Sequence, residues 1–290
     1  MKVVSDKVSL RKARASFKGT VGFVPTMGAL HAGHASLVER SARDNDRTVV
    51  SIFVNPTQFG PKEDFSKYPR TLEADLALCR KAGADLVYTP ATLYDKDHQT
   101  WIDVENVAAP LCGERRPGHF RGVATVVAKF FNLVQPTRVY FGQKDAQQAM
   151  LLTTMARELD FPLEVITCPT VREADGLAMS SRNRYLSPDE RKRALVISRT
   201  LHAVQTLFDK GERDVDKLES VMESALGAEV DRVDYAEIRR WRDLGEIKMI
   251  EEPVLATIAV FVGNTRLIDN IVLTPKRGKL ASRQGAKRPA

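Results

Sequence analysis

Three cysteines in 290 residues, Cys79, Cys112 and Cys168, are too few and too widely spaced for a disulfide framework or a zinc ribbon. Their odd number suits a reducing compartment, and the expectation is a cytoplasmic protein. No apolar run approaches the ~20 residues that a membrane-spanning helix needs, and there is no internal repeat. The N-terminal stretch MKVVSDKVSLRKARASFKG is basic, but it lacks the apolar core of a signal peptide and contains Asp6, so an ordinary first helix is preferred to a mitochondrial transit peptide. Acidic residues are absent from the last fifteen positions, where Lys276, Arg277, Lys279, Arg283, Lys287 and Arg288 supply most of the net charge of +7. The remainder is close to neutral, which argues against a nucleic-acid-binding surface. The tail itself, 276–290, is rich in Gly, Ala, Ser and Pro without apolar periodicity and reads as disordered. What is present, 43% hydrophobic and 28% charged residues, suits a globular chain of roughly two domains.

Short apolar runs alternate with helical periodicity in the first part of the chain. Strands are predicted at Thr20–Val24, Thr48–Val54, Asp85–Tyr88, Arg138–Phe141 and Leu163–Thr167, with helices at His34–Asp44, Leu72–Ala82, Val123–Leu133 and Ala146–Leu159. This α/β alternation predicts a Rossmann-like, doubly wound parallel sheet with ligands at the carboxyl ends of its strands. After Pro188 the pattern changes to two helices, Asp189–Lys210 and Val215–Leu226, followed by strands at Val230–Ile238, Val254–Val262 and Arg266–Leu273. The expected organisation is an N-terminal domain over 1–175, a smaller C-terminal α+β domain over 176–275 and the basic tail.

The most informative segment, Val24-Pro25-Thr26-Met27-Gly28-Ala29-Leu30-His31-Ala32-Gly33-His34, leaves a strand and opens a helix. There, glycines permit close backbone approach and a helix start offers N–H groups to phosphate. His31 and His34 can donate hydrogen bonds as charge builds on a phosphoryl group under attack. The HxGH pattern marks adenylate-forming and nucleotidyl-transferring α/β enzymes. A zinc site would want a third ligand and usually a glutamate where Ala32 stands, so phosphate is preferred to metal. Met179-Ser180-Ser181-Arg182-Asn183 supplies hydroxyls and a guanidinium for a triphosphate, a place that lysine signatures fill in class I aminoacyl-tRNA synthetases. Phe141-Gly142-Gln143-Lys144-Asp145-Ala146-Gln147-Gln148 is a second strand end. Gly142 permits approach to a ribose, Lys144 offers charge to phosphate, Asp145 can bond ribose hydroxyls or cap the helix, and Gln148 faces the same side as Lys144. Val54-Asn55-Pro56-Thr57-Gln58-Phe59 places neutral amides at a third strand end, which suits a substrate carrying hydroxyls.

PTMGALHAGH, FVNPTQF, FGQKDAQQ and MSSRNRYLS, in this order, resemble the pantothenate synthetase family, with supporting runs at YPRTLEADL, RPGHFRGVATVVAKFFNLVQP and TRLIDNI. The likeness covers about residues 20 to 273. It implies a Rossmann-like domain with a smaller C-terminal lid domain, a homodimer, and Mg-ATP-dependent formation of pantoyl adenylate with release of pyrophosphate. Attack by β-alanine then gives pantothenate and AMP. By the same resemblance His34, His31 and Lys144 are catalytic. ATP is held by Met27, Gly28, Ala29, Leu30, His31, Ala32, Gly33, His34, Gly142, Gln143, Lys144, Asp145, Val171, Met179, Ser180, Ser181 and Arg182. Pantoate meets Gln58 and Gln148, and Gln58 also lies near β-alanine. Gln143 and Ala146 depart from the Glu and Tyr frequent in that family, at positions given no catalytic role. Two rivals stand beside this reading. A nucleotidyltransferase shares HxGH but lacks a counterpart to FVNPTQF plus FGQKDAQQ. A nucleic-acid-binding protein would need its basic charge outside the tail.

Overall fold

Valine-rich runs form the six strands of the first sheet: β1 (Lys2–Val4), β2 (Val21–Thr26), β3 (Arg47–Ile52), β4 (Leu86–Tyr88), β5 (Arg138–Gly142) and β6 (Glu164–Cys168). The computed structural model describes residues 1–61 and 63–275, so the basic tail at 276–290 lies outside the described residues. All six strands pair in parallel, in the order β1-β4-β3-β2-β5-β6. The connections are α1 (Lys7–Ala15), α2 (Ala32–Asp44), α3 (Leu72–Lys81), a short α4 (Cys112–Arg115), α5 (His119–Val134) and α6 (Ala146–Glu158).

Both faces of the sheet are covered, which is why its strands are apolar at consecutive positions rather than alternating. Phe23, Val49 and Leu86 enter one core with residues of α1, α5 and α6, while their neighbours Val24, Val50 and Val87 enter the other with α2 and α3. The apolar run of α5 is buried nearly all round, from His119 to Val134. The helix starts four residues earlier than its periodicity predicts, because Pro117-Gly118 resembles a loop in sequence yet serves as the helix entry. Strand β1 went unanticipated: three residues beside the N-terminus carry no pattern, and the edge of β4 alone gives them a partner.

The C-terminal part comprises α7 (Pro188–Asp209), α8 (Val215–Gly227) and an antiparallel sheet of β7 (Arg232–Arg240), β8 (Val254–Val262) and β9 (Thr265–Leu273), with β8 central. Ser187 opens α7: its hydroxyl accepts from the Glu190 amide at 3.3 Å and the Glu190 carboxylate accepts from the Ser187 amide at 2.7 Å. This part has its own core around Ile197, Leu218 and Ile258, yet Tyr235, Leu255 and Ala259 join the larger N-terminal core. The two sheets are thus cemented by shared apolar burial as well as by chain connection.

Candidate active site

Strand order reverses between β2 and β5, the switch point at which doubly wound sheets open a crevice. A cavity of about 230 Å³ lies at the carboxyl ends of these strands. It collects Met27, His31, Gly33, His34, Gln58, Gly142, Lys144, Asp145, Gln148, Val171, Met179, Ser180, Ser181 and Arg182 from five separated segments. Gly28, Ala29, Leu30, Ala32 and Gln143 do not line it. The space beside Gly142 is open, with nothing within 4 Å of where a Cβ would stand.

The two imidazoles form the start of α2. His31 is its N-cap, and its Nδ1 accepts from the Gly33 amide at 3.2 Å; Nδ1 of His34 accepts from the His31 amide at 3.4 Å. A ring nitrogen that accepts a backbone N–H carries no proton, so each neutral ring holds its proton on Nε2. The rings lie 4.1 Å apart between centroids. Burial, then the neighbouring Lys144 ammonium, brings His31 down to about 4. Burial, then His31 and Lys144, brings His34 down to about 3. Both rings keep an edge in the cleft, but protein surrounds them closely enough to disfavour the imidazolium. They are therefore neutral N–H donors, and the cationic side chains lining the cavity are Lys144, Arg116 and Arg182.

His119, the first residue of α5, is also pulled down, to about 3, by burial and by Arg116. Unfolded histidines take up protons below ~6.5 while these three do not, so the unfolded state gains stability as pH falls. Stability should be level above ~6.5 and should drop between pH 6.5 and 5, by on the order of 1–2 kcal/mol per histidine. Calorimetric melting across this range, above the carboxylate titrations, reads the effect; a melting temperature that holds or rises would contradict neutral rings.

The loop from Met27 to Leu30 is shaped by a carboxylate of the protein itself. Gly28 and Ala29 both take positive φ, at 85° and 51°. Their turn aims the Ala29 and Leu30 amides at Asp75, which accepts them at 3.0 and 2.8 Å and is 2% exposed. The Gly28 amide is bonded to the Thr26 hydroxyl at 3.2 Å. The expectation of free N–H groups for phosphate along this loop is corrected accordingly: Asp75 takes two of them, and the side chains of His31 and His34 carry the donors into the cavity.

On the other side of the cleft, Gln58 ends a 3-10 turn (Pro56–Gln58) and Gln148 lies in the first turn of α6. Asn55 Nδ2 donates to Gln58 Oε1 at 3.1 Å and to the Gly122 carbonyl at 3.2 Å, orienting the Gln58 amide. Phe53, Val123, Val126, Val127 and Phe130 make an apolar wall beside it. Asn55, the other neutral amide of that strand end, also lines the cavity, as do Tyr68, Arg116 and His119, to which the sequence assigned no role. Arg116 forms a bidentate pair with Glu63, both bonds 2.6 Å, and donates to His119 Nε2 at 2.8 Å. The opposite ring nitrogen of His119 donates to the Gln58 carbonyl at 2.8 Å. Helix α5 approaches this turn so closely that a Cβ at Gly122 would stand 2.3 Å from the Thr57 carbonyl oxygen and 2.8 Å from the Gln58 nitrogen. Gly122→Ala should destabilise by about 1–3 kcal/mol and displace Gln58, read as a lower urea midpoint together with weaker acid-substrate binding.

The Met179–Arg182 segment leads into a 3-10 turn (Ser181–Tyr185) capped by Ser180. Ser181 is buried against Tyr68, hydroxyl to hydroxyl at 3.3 Å. Arg182 is held by Asp64 through two bonds of 3.1 and 3.0 Å. Val171 is not in a strand: β6 ends at Cys168, and Val171 lies in irregular backbone whose carbonyl accepts from the Met179 amide at 3.0 Å. Asp145 occupies the N-cap of α6 but makes no side-chain capping bond, leaving its carboxylate 3.8 Å from the Lys144 ammonium at the cavity.

Neutral ring donors, three cations and a polar pocket with an apolar wall at one switch point suit a nucleotide beside a small hydroxylated acid. The family model for pantoate–β-alanine ligase matches residues 2–272. The chain belongs to the pantoate–β-alanine ligase family. It is 51% identical over 276 residues to the pantothenate synthetase of Roseiflexus sp. (strain RS-1), covering 94% of this chain and 99% of that protein. It is 54% identical to the Acidobacterium capsulatum pantothenate synthetase, covering 90% of this chain and 89% of the relative. Among solved structures, pantothenate synthetase from Thermus thermophilus superposes with a TM-score of 0.90 at 47% identity, over 95% of this chain and all of that one. The pantoate–β-alanine ligase from Francisella tularensis, complexed with β-γ ATP and β-alanine, superposes at 0.77 and 30% identity, over 94% and 97%. Other members of the family thus share the sequence and the frame on which this cleft is built. No helix among the described residues is long and apolar enough to cross a membrane.

Proposed function

We propose that the protein condenses pantoate with β-alanine at the expense of ATP, in two steps that share one cleft. The pantoate carboxylate attacks the α-phosphorus, forming pantoyl adenylate and releasing pyrophosphate. The β-alanine amine then attacks the acyl carbon, forming the amide and releasing AMP. The convergence of His31, His34, Lys144 and Arg182 with the Gln58–Gln148 pocket, in a chain of this family, carries the reading.

An anion attacking a polyanion needs charge neutralisation and alignment, and no protein nucleophile. In this reading the Nε2–H groups of His31 and His34 donate to phosphoryl oxygens, Lys144 balances charge that develops between the α-phosphate and the leaving pyrophosphate, and Arg182 with Ser180 and Ser181 holds the outer phosphates. Of the remaining positions, Met27, Gly33, Gly142 and Asp145 line the cleft and would meet ATP by shape and backbone, with Val171 beside the adenine. Gln58 and Gln148 take the pantoate hydroxyls and carboxylate, with the gem-dimethyl carbon on the wall of α5, and Gln58 borders the β-alanine position.

Mg²⁺ enters this scheme as part of the nucleotide substrate. Among the described residues no three His, Cys, Asp or Glu side chains gather into a metal cage. That suits an ion bound mainly by phosphate oxygens and water, with at most one or two carboxylates. Asp145 is the carboxylate at the cavity outside a tight ion pair, whereas Asp64 and Glu63 are engaged by arginines. A homodimer in the cytoplasm completes the proposal; its three thiols are buried and unpaired, as a reducing compartment allows.

The deciding experiment is isotope exchange. Labelled pyrophosphate should enter ATP when pantoate is present and β-alanine absent, and AMP should be the nucleotide product of the full reaction. Exchange that requires β-alanine, or ADP formed in stoichiometric amount, would rule out the adenylate route.

A further inference from the structure

Two adjacent residues of the C-terminal sheet, Asp269 and Asn270, are nearly inaccessible, at 2% and 4% exposure. Consecutive strand residues point to opposite faces, and here each face meets a different half of the cleft. Asp269 receives Arg172 through bonds of 2.5 and 3.1 Å, and Arg172 also donates to the Gly176 carbonyl at 3.1 Å. That binds the root of the segment running from Val171 to Arg182, whose two arms are tied by the Arg172–Ala178 bridge. On the other face, Asn270 Nδ2 donates to the carbonyls of Gln143 and Lys144, both at 2.9 Å. Two carbonyl acceptors fix which end of the amide faces them, since only the NH₂ group can donate. The Asn270 oxygen is buried without a partner, so the side chain carries an unmet polar cost while making those two bonds.

We infer that Asp269 and Asn270 are positioning residues for adenylation: Asn270 sets the backbone from which Lys144 reaches the cleft, and Asp269 sets the segment that presents Ser180, Ser181 and Arg182. Neither touches the cavity itself. The C-terminal sheet thereby holds two of the nucleotide-facing segments in mutual register from a single point on β9. This inference rests on the proposed function of the cleft and adds to it the residues that align its parts.

The two roles separate kinetically. Asn270→Leu keeps the bulk and deletes both donors, so it should lower kcat for pantoate-dependent pyrophosphate exchange by about tenfold or more, while KM for ATP changes less than about threefold. Asn270→Ser, which retains a donor on a shorter arm, should recover part of that loss. Asp269→Asn keeps the shape but weakens the hold on Arg172, so it should chiefly raise KM for ATP, by about fivefold or more. Parental kcat and KM in Asn270→Leu and Asp269→Asn, or losses that merely follow a fall in melting temperature in all three variants, would overturn the inference. Should the leucine variant fold poorly, the serine and Asp269→Asn variants carry the same test. Hydrogen exchange over residues 143–148 reads the contact without any reaction. Faster exchange in an Asn270 variant is expected, and parental exchange would overturn the positioning role. A parent enzyme that forms no AMP from ATP and pantoate with β-alanine would sink the functional reading instead, and the hydrogen-exchange result would still judge the contact.

Discussion

Replacing Lys144 or His34 with alanine should each slow adenylation by about a hundredfold or more, the scale of losing a preorganised donor to a transition-state oxygen. Lys144 sits in the 3-10 turn after β5 with its side chain one-fifth exposed at the cleft, and its nearest carboxylate, Asp145, is 3.8 Å away. Removing the ammonium therefore breaks no tight structural pair, and melting temperature should stay near that of the parent. Lys144→Arg should restore little, because a planar fork does not reproduce a compact point charge at the same atom. His34 differs in that its Nδ1 also receives the His31 amide, but over a long 3.4 Å contact, so His34→Ala costs little helix stability beside what it removes from the cleft. Pyrophosphate exchange and single-turnover adenylate formation measure both variants. Near-parental rates in either would take that residue out of the chemistry. Because both histidines are neutral well below pH 6.5, the acid limb of kcat/KM should not fall at their ordinary pKa.

Gln58→Leu should weaken pantoate binding by about 1–3 kcal/mol, the cost of a lost hydrogen bond that leaves its partner buried. The fold around it should survive: Asn55 Nδ2, which donates to Gln58, also donates to the Gly122 carbonyl, and its oxygen accepts from Thr57 and Tyr94 at 3.0 Å. The backbone of Gln58 remains pinned by His119. ATP affinity should barely move, since the histidine and Met179–Arg182 segments lie on other elements. Steady-state kinetics in pantoate and calorimetric titration of ATP separate the two. Loss of ATP affinity with an unchanged pantoate dependence would assign Gln58 to the nucleotide instead.

The sheet was legible in the sequence because burial on both faces writes itself as continuous apolar runs: β2, β3, β5 and β6 lie within two residues of their predicted ends. The cleft was legible in outline because its members sit at strand ends in distinctive local strings. What stayed hidden were contacts made across long stretches of chain. Asp75 looks like one more acid on the polar face of α3, and nothing local says that it bonds amides 45 and 46 positions earlier. Glu63 and Asp64 look like a solvated acidic pair, yet their partners Arg116 and Arg182 lie 53 and 118 residues away. Local patterning encodes which face a side chain takes, whereas a long-range ion pair depends on how the loops return. The tautomer of the two histidines was hidden for a related reason, since it follows from which backbone amides they accept.

The grip of Asp64 on Arg182 bears on how the enzyme turns over. The guanidinium is balanced within the protein by a two-pronged carboxylate, so it is not a bare, half-enclosed cation. A triphosphate that claims those N–H groups takes them from Asp64 in an exchange of one anion for another, and part of its attraction is spent on the displacement. In the proposed reaction the same exchange run backwards would give the departing pyrophosphate an internal competitor, one fixed beside the arginine and immune to dilution. Asp64 would then shorten the residence time of the leaving group, and its effect would be felt in how quickly the site clears more than in how tightly it fills.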